Sequence, residues 1–297
     1  MTVLALEIGP AGFAATRVAD DVGTDDIRRA PIPAAGAWEA CRTLLHETAG
    51  GEDVAAIGIG SSGPIDMTAG VVAPTAVKEW QTGFELVDSV KKAFPGASVQ
   101  LGLDGVCLAL AEQNFGATGQ VMDAVSIAVS DRISAGVMVG GLVVVGRTGN
   151  AGHLGHLLVP GYDEPCECGG RGCLEAVAGG LSAVQWARGR GWPGATVAEL
   201  VSAAQSGDEV AVAAFERVGT ALGRAIASIA PLLDVGLVVV GGSMATAGPA
   251  LWKPLNTAVA THARAGFLAA LRVVPSELED LGVLAGAGVL ALIAAQD

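Results

Sequence analysis

The stretch from His153 to Glu175 reads HLGHLLVPGYDEPCECGGRGCLE and holds three of the chain's five cysteines and two of its four histidines. From His156 the spacing is H-x9-C-x-C-x4-C. One imidazole and three thiolates make a closed tetrahedral donor set for Zn²⁺, with no position left for a catalytic water. Gly169, Gly170 and Gly172 let the segment curl so that Cys168 and Cys173 face one ion. The expected ligands are His156, Cys166, Cys168 and Cys173, around a structural zinc. The competing reading is a set of free thiols or a disulfide, although the side chains of Cys-x-Cys neighbours diverge and bridge poorly.

A second chemical position is Asp104, which follows the apolar run Ser98–Leu103 and opens a helical pattern over Gly105–Phe115. A carboxylate at the end of a strand and the start of a helix suits two jobs, an N-cap or a general base. Further along, Gly241 and Gly242 close the run LVVVGG, a strand–turn–helix start that suits a nucleoside.

The elements that must position these groups alternate between strand and helix. Val3–Glu7 and Phe13–Val18 read as two strands joined by Gly9-Pro10-Ala11-Gly12, a hairpin whose tip can hold phosphate on backbone N–H groups. Ala55–Gly60 is a buried strand entering the turn Ser61-Ser62-Gly63-Pro64. Ala124–Ser130 and Gly136–Val145 are expected as two strands of a second sheet, and Leu181–Gly191 as a helix. Asp208–Leu233 is a long helical stretch, expected to break at Pro231. Leu281–Ala295 is an apolar run shorter than the ~20 residues that span a bilayer, so it reads as a buried helix and no membrane partner is expected.

The 297 residues allow one large or two medium domains. The net charge of −13 comes without a Lys/Arg cluster, which argues against a nucleic-acid partner. Met1 runs directly into an apolar strand with no basic leader, so neither a secretory peptide nor an N-terminal helix-turn-helix domain is expected. Thiolate metal chemistry suits the cytoplasm.

The run from Asn150 to Gly180, with GHLLV and CECGGRGCLEAVAGG, resembles the ROK family of repressors, open reading frames and sugar kinases. The resemblance extends over nearly the whole chain. It implies an α/β, two-lobed actin-like ATPase (RNase H-like) fold with a zinc-binding loop. One lobe would take residues 1–117, with the helix 281–297 packed back on it, and the other residues 118–280. It further implies transfer of the ATP γ-phosphate to a hexose or N-acylhexosamine, with Mg²⁺ as the companion ion, and is compatible with a homodimer.

Carried over residue by residue, LDGVCLALAEQNFGA resembles the family's N-D-A-N-A-A-A-L-G-E-x-x-F-G-A, which puts the catalytic aspartate on Asp104 and replaces two asparagines by Leu103 and Val106. Gly63 matches a glycine that lies against the sugar. Trp80 is kept, but the sugar-contacting asparagine four residues before it is Ala76. His153 stands where most family kinases have glutamate and where acylmannosamine kinases have histidine. His156 and Glu175 match sugar-binding positions.

The nucleotide motifs depart from the family. D-I-G-G-T-K becomes Glu7-Ile8-Gly9-Pro10-Ala11-Gly12, and Pro10 lacks an N–H. G-T-G-I-G-G-G becomes Ser130-Asp131-Arg132-Ile133-Ser134-Ala135-Gly136. Arg132 either serves as a phosphate ligand or pairs with Asp131 and fills an empty site. Gly241 and Gly242 match the adenosine-side loop. Two functions remain in view, a sugar kinase and a catalytically inactive sugar-sensing or protein-interaction module.

Overall fold

Strand β1 (Thr2–Gly9) shows how the first sheet is made. Its side chains alternate in size, with Leu4, Leu6 and Ile8 joining one buried cluster while Ala5 joins another. The computed structural model describes residues 2–18 and 27–296, so residues 1, 19–26 and 297 of the expected lobes lie outside the described residues. Strand β1 pairs antiparallel with β2 (Gly12–Arg17), which pairs antiparallel with β3 (Arg28–Ala30). On its other side β1 runs parallel to β4 (Val54–Ser61). Three short strands, β5 (Ile65–Asp66), β6 (Val71–Val72) and β7 (Phe84–Glu85), form a separate small sheet. Strand β8 (Ser98–Leu103) then runs parallel to β4, giving the order β3-β2-β1-β4-β8. Helices α1 (Ala37–Ala49), α2 (Leu86–Ala93) and α3 (Asp104–Phe115) complete this stretch.

The second sheet repeats that layout. Strands β9 (Ala124–Val129) and β10 (Ile133–Val139) form an antiparallel hairpin, and β11 (Leu142–Val143) flanks β10. Strands β12 (Leu237–Gly241) and β13 (Arg272–Pro275) add in parallel, giving β11-β10-β9-β12-β13. Its helices are α4 (Leu174–Ala178), α5 (Gly180–Arg188), α6 (Val197–Gln205), α7 (Glu209–Leu233) and α8 (Pro249–His262). Asp208 caps α7 by accepting the Ala211 N–H at 2.9 Å. Helix α8 crosses α7 closely, since a Cβ on Gly219 would lie 2.5 Å from the Leu251 carbonyl oxygen.

The last helix, α9 (Gly282–Ala294), packs on the small-residue face of the first sheet. A Cβ built on Gly58 would lie 1.9 Å from the Ala287 carbonyl oxygen, and one on Gly102 2.8 Å from Leu290 Cδ1. The sheet therefore offers glycine and alanine to α9 on one face and leucine and isoleucine on the other, which is why both faces are apolar. None of the helices among the described residues is long and apolar enough to cross a membrane.

The chain divides into two compact units, one taking Met1–Asn114, Val143–Gly152 and Leu281–Asp297, the other Phe115–Leu142 and His153–Asp280. Three expectations need correction. The second strand of the second sheet starts at Ile133 and stops at Val139, because Gly140 and Gly141 turn the chain with φ of 61° and 76°. Residues 143–152 group with the first unit because Asn150 hydrogen-bonds the backbone of Ile65. Pro231 does not break α7, which ends at Asp234 in the left-handed region (φ 52°). One turn from the helix end, the missing proline N–H costs a single hydrogen bond.

Candidate functional site

In the first unit, the register Gly9↔Gly12 makes Pro10-Ala11 a two-residue hairpin turn. Ile8, Ser61 and Leu103 lie in one row across β1, β4 and β8. The hairpin tip, the Ser62-Gly63 turn and Asp104 therefore share the carboxyl end of the parallel strands, where open α/β sheets place their ligands. The Ser62 N–H donates to the Ile8 carbonyl at 2.8 Å and ties the turn to the hairpin. Gly12 has φ +132°, and a Cβ there would lie 2.5 Å from the Ala30 carbonyl oxygen. Gly9 ends β1, and a Cβ there would approach Glu7 Oε1 at 3.4 Å.

Asp104 is half-buried at the first position of α3, and its Oδ1 accepts the Gly105 N–H at 2.6 Å. The thiol of Cys107, one turn on, is fully buried. Burial pushes its pKa well above the ordinary thiol value, and the charges of Asp104 and Glu7 push it the same way. Both carboxylates thus act on one buried point at this end of the sheet.

In the second unit, Val129↔Ile133 closes a three-residue turn, Ser130-Asp131-Arg132. Gly136 sits inside β10 opposite Ser126, not in the turn. The expected Asp131–Arg132 pairing gives way to another arrangement. Arg132 NH2 donates to Glu167 Oε2 at 2.7 Å, and its NH1 lies 3.9 Å from Glu175 Oε1. Adjacent residues in a tight turn project apart, whereas the cysteine loop brings Glu167 to the guanidinium. Glu175 is largely buried, and its Oε2 accepts the Ile133 N–H at 2.9 Å. The strand β12 ends at Gly241. A Cβ on Gly242 (φ +85°) would lie 2.6 Å from Val129 N, so that residue is pressed against the hairpin. The Ser243 N–H, at the start of a 3₁₀ turn, donates to Ser130 Oγ at 3.0 Å.

The cysteine loop closes on itself through the Cys166 N–H to the Gly170 carbonyl and the Gly169 N–H to the Cys166 carbonyl, both 2.9 Å. Gly169 and Gly172 take φ of 87° and 72°. A ligating nitrogen of His156 and the sulfurs of Cys166, Cys168 and Cys173 all lie within 4.8 Å of one another. Cys168 and Cys173 Sγ are 3.7 Å apart, and Cys166 Sγ is 3.8 Å from His156 Nδ1. A tetrahedron with Zn–S bonds of ~2.3 Å has an S···S edge of about 3.8 Å, so the donors present fit zinc. All five cysteines are free thiols.

The thiols are unequal. Burial pushes Cys173 up to about 12, and the hydrogen bonds its thiol donates to the neighbouring Cys168 and Cys166 sulfurs add to it. Burial also raises Cys166, while the Gly170 backbone N–H lowers Cys168. His153 is outside the donor set, its ring centroid 5.7 Å from that of His156. Burial, followed by the neighbouring His156, lowers its pKa. Arg217 of α7 pairs with Glu164 and donates to the Val177 carbonyl at 2.7 Å, fastening the loop to the helices.

Residues to which the sequence motifs assign no role of their own are Ser130, Asn150 and Glu167. For Glu167 a signal was available: two ligands at Cys-x-Cys spacing face one point, so the residue between them faces away.

The ROK family model matches residues 3–294. The chain is 33% identical over 265 residues to a glucokinase of Thermotoga maritima, covering 84% of this chain and 82% of that one. It is 31% identical over 217 residues to the DNA-binding transcriptional dual regulator NagC of Escherichia coli, covering 70% of this chain and 52% of that one. Among solved structures, the ROK family glucokinase of Streptomyces griseus in complex with glucose and AMPPNP superposes with a TM-score of 0.85. The two are 26% identical, with 99% of this chain and 100% of that one covered. The fold is that of the actin-like ROK sugar kinases.

Proposed function

This chain belongs to the ROK family, and we propose that it is an ATP-dependent sugar kinase acting on a hexose or N-acylhexosamine. The observation that carries the reading is Asp104, held at the carboxyl end of β8 and the N-terminus of α3 beside the Ser62-Gly63 turn. In this role Asp104 accepts the proton of a sugar hydroxyl while that oxygen attacks the γ-phosphorus. The bond from phosphorus to the β–γ bridging oxygen breaks, and ADP leaves with the electron pair. Such a base contributes roughly 10²–10⁴-fold. The remaining acceleration comes from positioning and from neutralising phosphate charge, which Mg²⁺ supplies when bound.

Gly63 lets the chain pass close to the sugar, and His153, His156 and Glu175 are its polar partners. His156, Cys166, Cys168 and Cys173 hold a structural zinc that fixes the loop carrying the last three groups. Glu7, Gly9, Gly12, Arg132, Gly136, Gly241 and Gly242 are the nucleotide-side residues in this reading.

Specific observations favour a second reading, a sugar-sensing module without phosphoryl transfer. Pro10 removes a backbone donor from the first hairpin turn. In the second, Glu167 neutralises Arg132, and Ser130 Oγ occupies the Ser243 N–H. The test is calorimetric titration of zinc-loaded protein with Mg·ATP, with and without a panel of hexoses and N-acylhexosamines. Nucleotide binding tightened by one sugar supports the kinase. Sugar binding without nucleotide binding supports the sensor, and binding of neither overturns both.

A further inference from the structure

Asn150 makes a contact that neither the motif comparison nor the metal loop accounts for. Its side-chain amide lies alongside the backbone of Ile65 and satisfies both of that residue's polar groups. The Ile65 N–H donates to Asn150 Oδ1 at 2.9 Å, and Asn150 Nδ2 donates to the Ile65 carbonyl at 2.6 Å. The same Nδ2 donates to Thr148 Oγ1 at 2.9 Å, and the Met67 N–H donates to the Thr148 carbonyl at 3.0 Å. An amide carries one acceptor face and one donor face, so Asn150 behaves as one residue of a missing strand beside β5. Gly149, at φ +94°, brings the segment close: a Cβ there would lie 2.9 Å from Met67 Cβ.

The clamp is placed where it bears on two proposed sugar groups. Ile65 is two residues after Gly63, and its buried side chain anchors the turn in the first core. Asn150 is three residues before His153. The chain passes from the first unit to the second between Gly152 and His153. We infer that Asn150 is a positioning residue for sugar binding: its amide sets the Gly63 turn and fixes the chain immediately ahead of His153. This rests on the sugar-binding reading of the site, shared by the kinase and sensor alternatives. An apolar side chain cannot replace it, because both Ile65 groups would lose their partner. Aspartate preserves the acceptor face and loses the donor face.

The test uses full-length zinc-loaded protein, the sugar that binds wild type in the panel above, and the variants N150A and N150D. Two hydrogen bonds lost in N150A should weaken sugar binding about tenfold or more, with N150D between N150A and wild type. Hydrogen exchange should quicken at the Ile65 and Met67 amides and stay unchanged in β12. Zinc content should not change, and sugar affinity should follow the order of the variants whether or not thermal stability does. Folded N150A that binds sugar within about twofold of wild type overturns the proposal while leaving the sugar site intact. Wild type that binds no sugar overturns the proposal together with the reading beneath it. If N150A does not fold, N150D alone decides on the same criterion.

Discussion

Loading the cysteine loop with zinc should release between two and three thiol protons at pH 8. The number follows from the thiols' environments. Cys173 is pushed up to about 12 by burial, and Cys166 is raised for the same reason, so both are protonated in the metal-free protein. Cys168 is lowered by the Gly170 N–H, so it contributes least to the count. Zinc ligates thiolates, so all three sulfurs must be deprotonated in the complex. The sign is fixed by linkage. Binding releases protons, so it tightens as pH rises, and it does so until pH approaches the raised thiol values.

The dissociation constant should therefore fall by about two to three decades per pH unit near pH 8, above the ordinary imidazole range. Geometry adds little opposition. No donor pair is more than 4.8 Å apart, about 1 Å beyond a tetrahedral edge. Zinc titration by calorimetry in two buffers of different ionisation enthalpy counts the protons, and a metal-competition series across pH gives the slope. C173S should remove one proton from the count and weaken binding. A count below two, or a slope below two, would refute a three-thiolate site built from these cysteines.

Three further outcomes test other parts of the structure. D104N should lower phosphoryl transfer by roughly 10²–10⁴-fold with sugar affinity within a few-fold of wild type; single-turnover kinetics beside calorimetry separate the two, and undiminished turnover would remove Asp104 as the base. E167Q should leave Arg132 with Glu175 as its remaining carboxylate neighbour and tighten Mg·ATP by at most about fivefold, because the Glu167 side chain is 70% exposed and solvent-screened pairs contribute about 0–1 kcal/mol; weaker nucleotide binding would mean that the pair organises the turn instead of blocking it. G58A drives a Cβ into the α9 backbone at 1.9 Å from the Ala287 oxygen, so the melting temperature should drop by about 3 °C or more, and an unchanged value would show that α9 has room to shift.

Much of this architecture can be read from the residues because its signals are local. The apolar run Ser98–Leu103 and the aspartate after it become β8 and the start of α3 with the expected boundaries. The cysteine spacing brings four donors together as the loop's glycines allow. What the sequence hid depends on distant partners. Arg132 and Glu167 are thirty-five positions apart, and Asn150 and Ile65 eighty-five, so no periodicity links either pair. The β10 boundary was misplaced because Ser134 and Ala135 look like loop residues, yet they pair with Ala128 and Ile127 across the hairpin. Pro231 read as a breaker because the sequence does not show that the helix has only two residues left to run.

The repeated sheet layout gives the chain two equivalent hairpin turns, and they differ from the family pattern in opposite ways. The turn at Pro10-Ala11 has lost a backbone donor and gained nothing charged. The turn at Ser130-Asp131-Arg132 has gained a cation whose position is set by a carboxylate standing between two proposed zinc ligands. Glycine turns hold phosphate by backbone geometry, whereas a guanidinium holds it by charge and is available only when its own partner yields. The loop that orders the thiols therefore also orders the counter-charge on Arg132. Any influence of the metal on nucleotide affinity through this pair is reciprocal, since two ligands coupled through one contact affect each other equally. The exposure of Glu167 limits that coupling to the same modest factor that limits the pair itself.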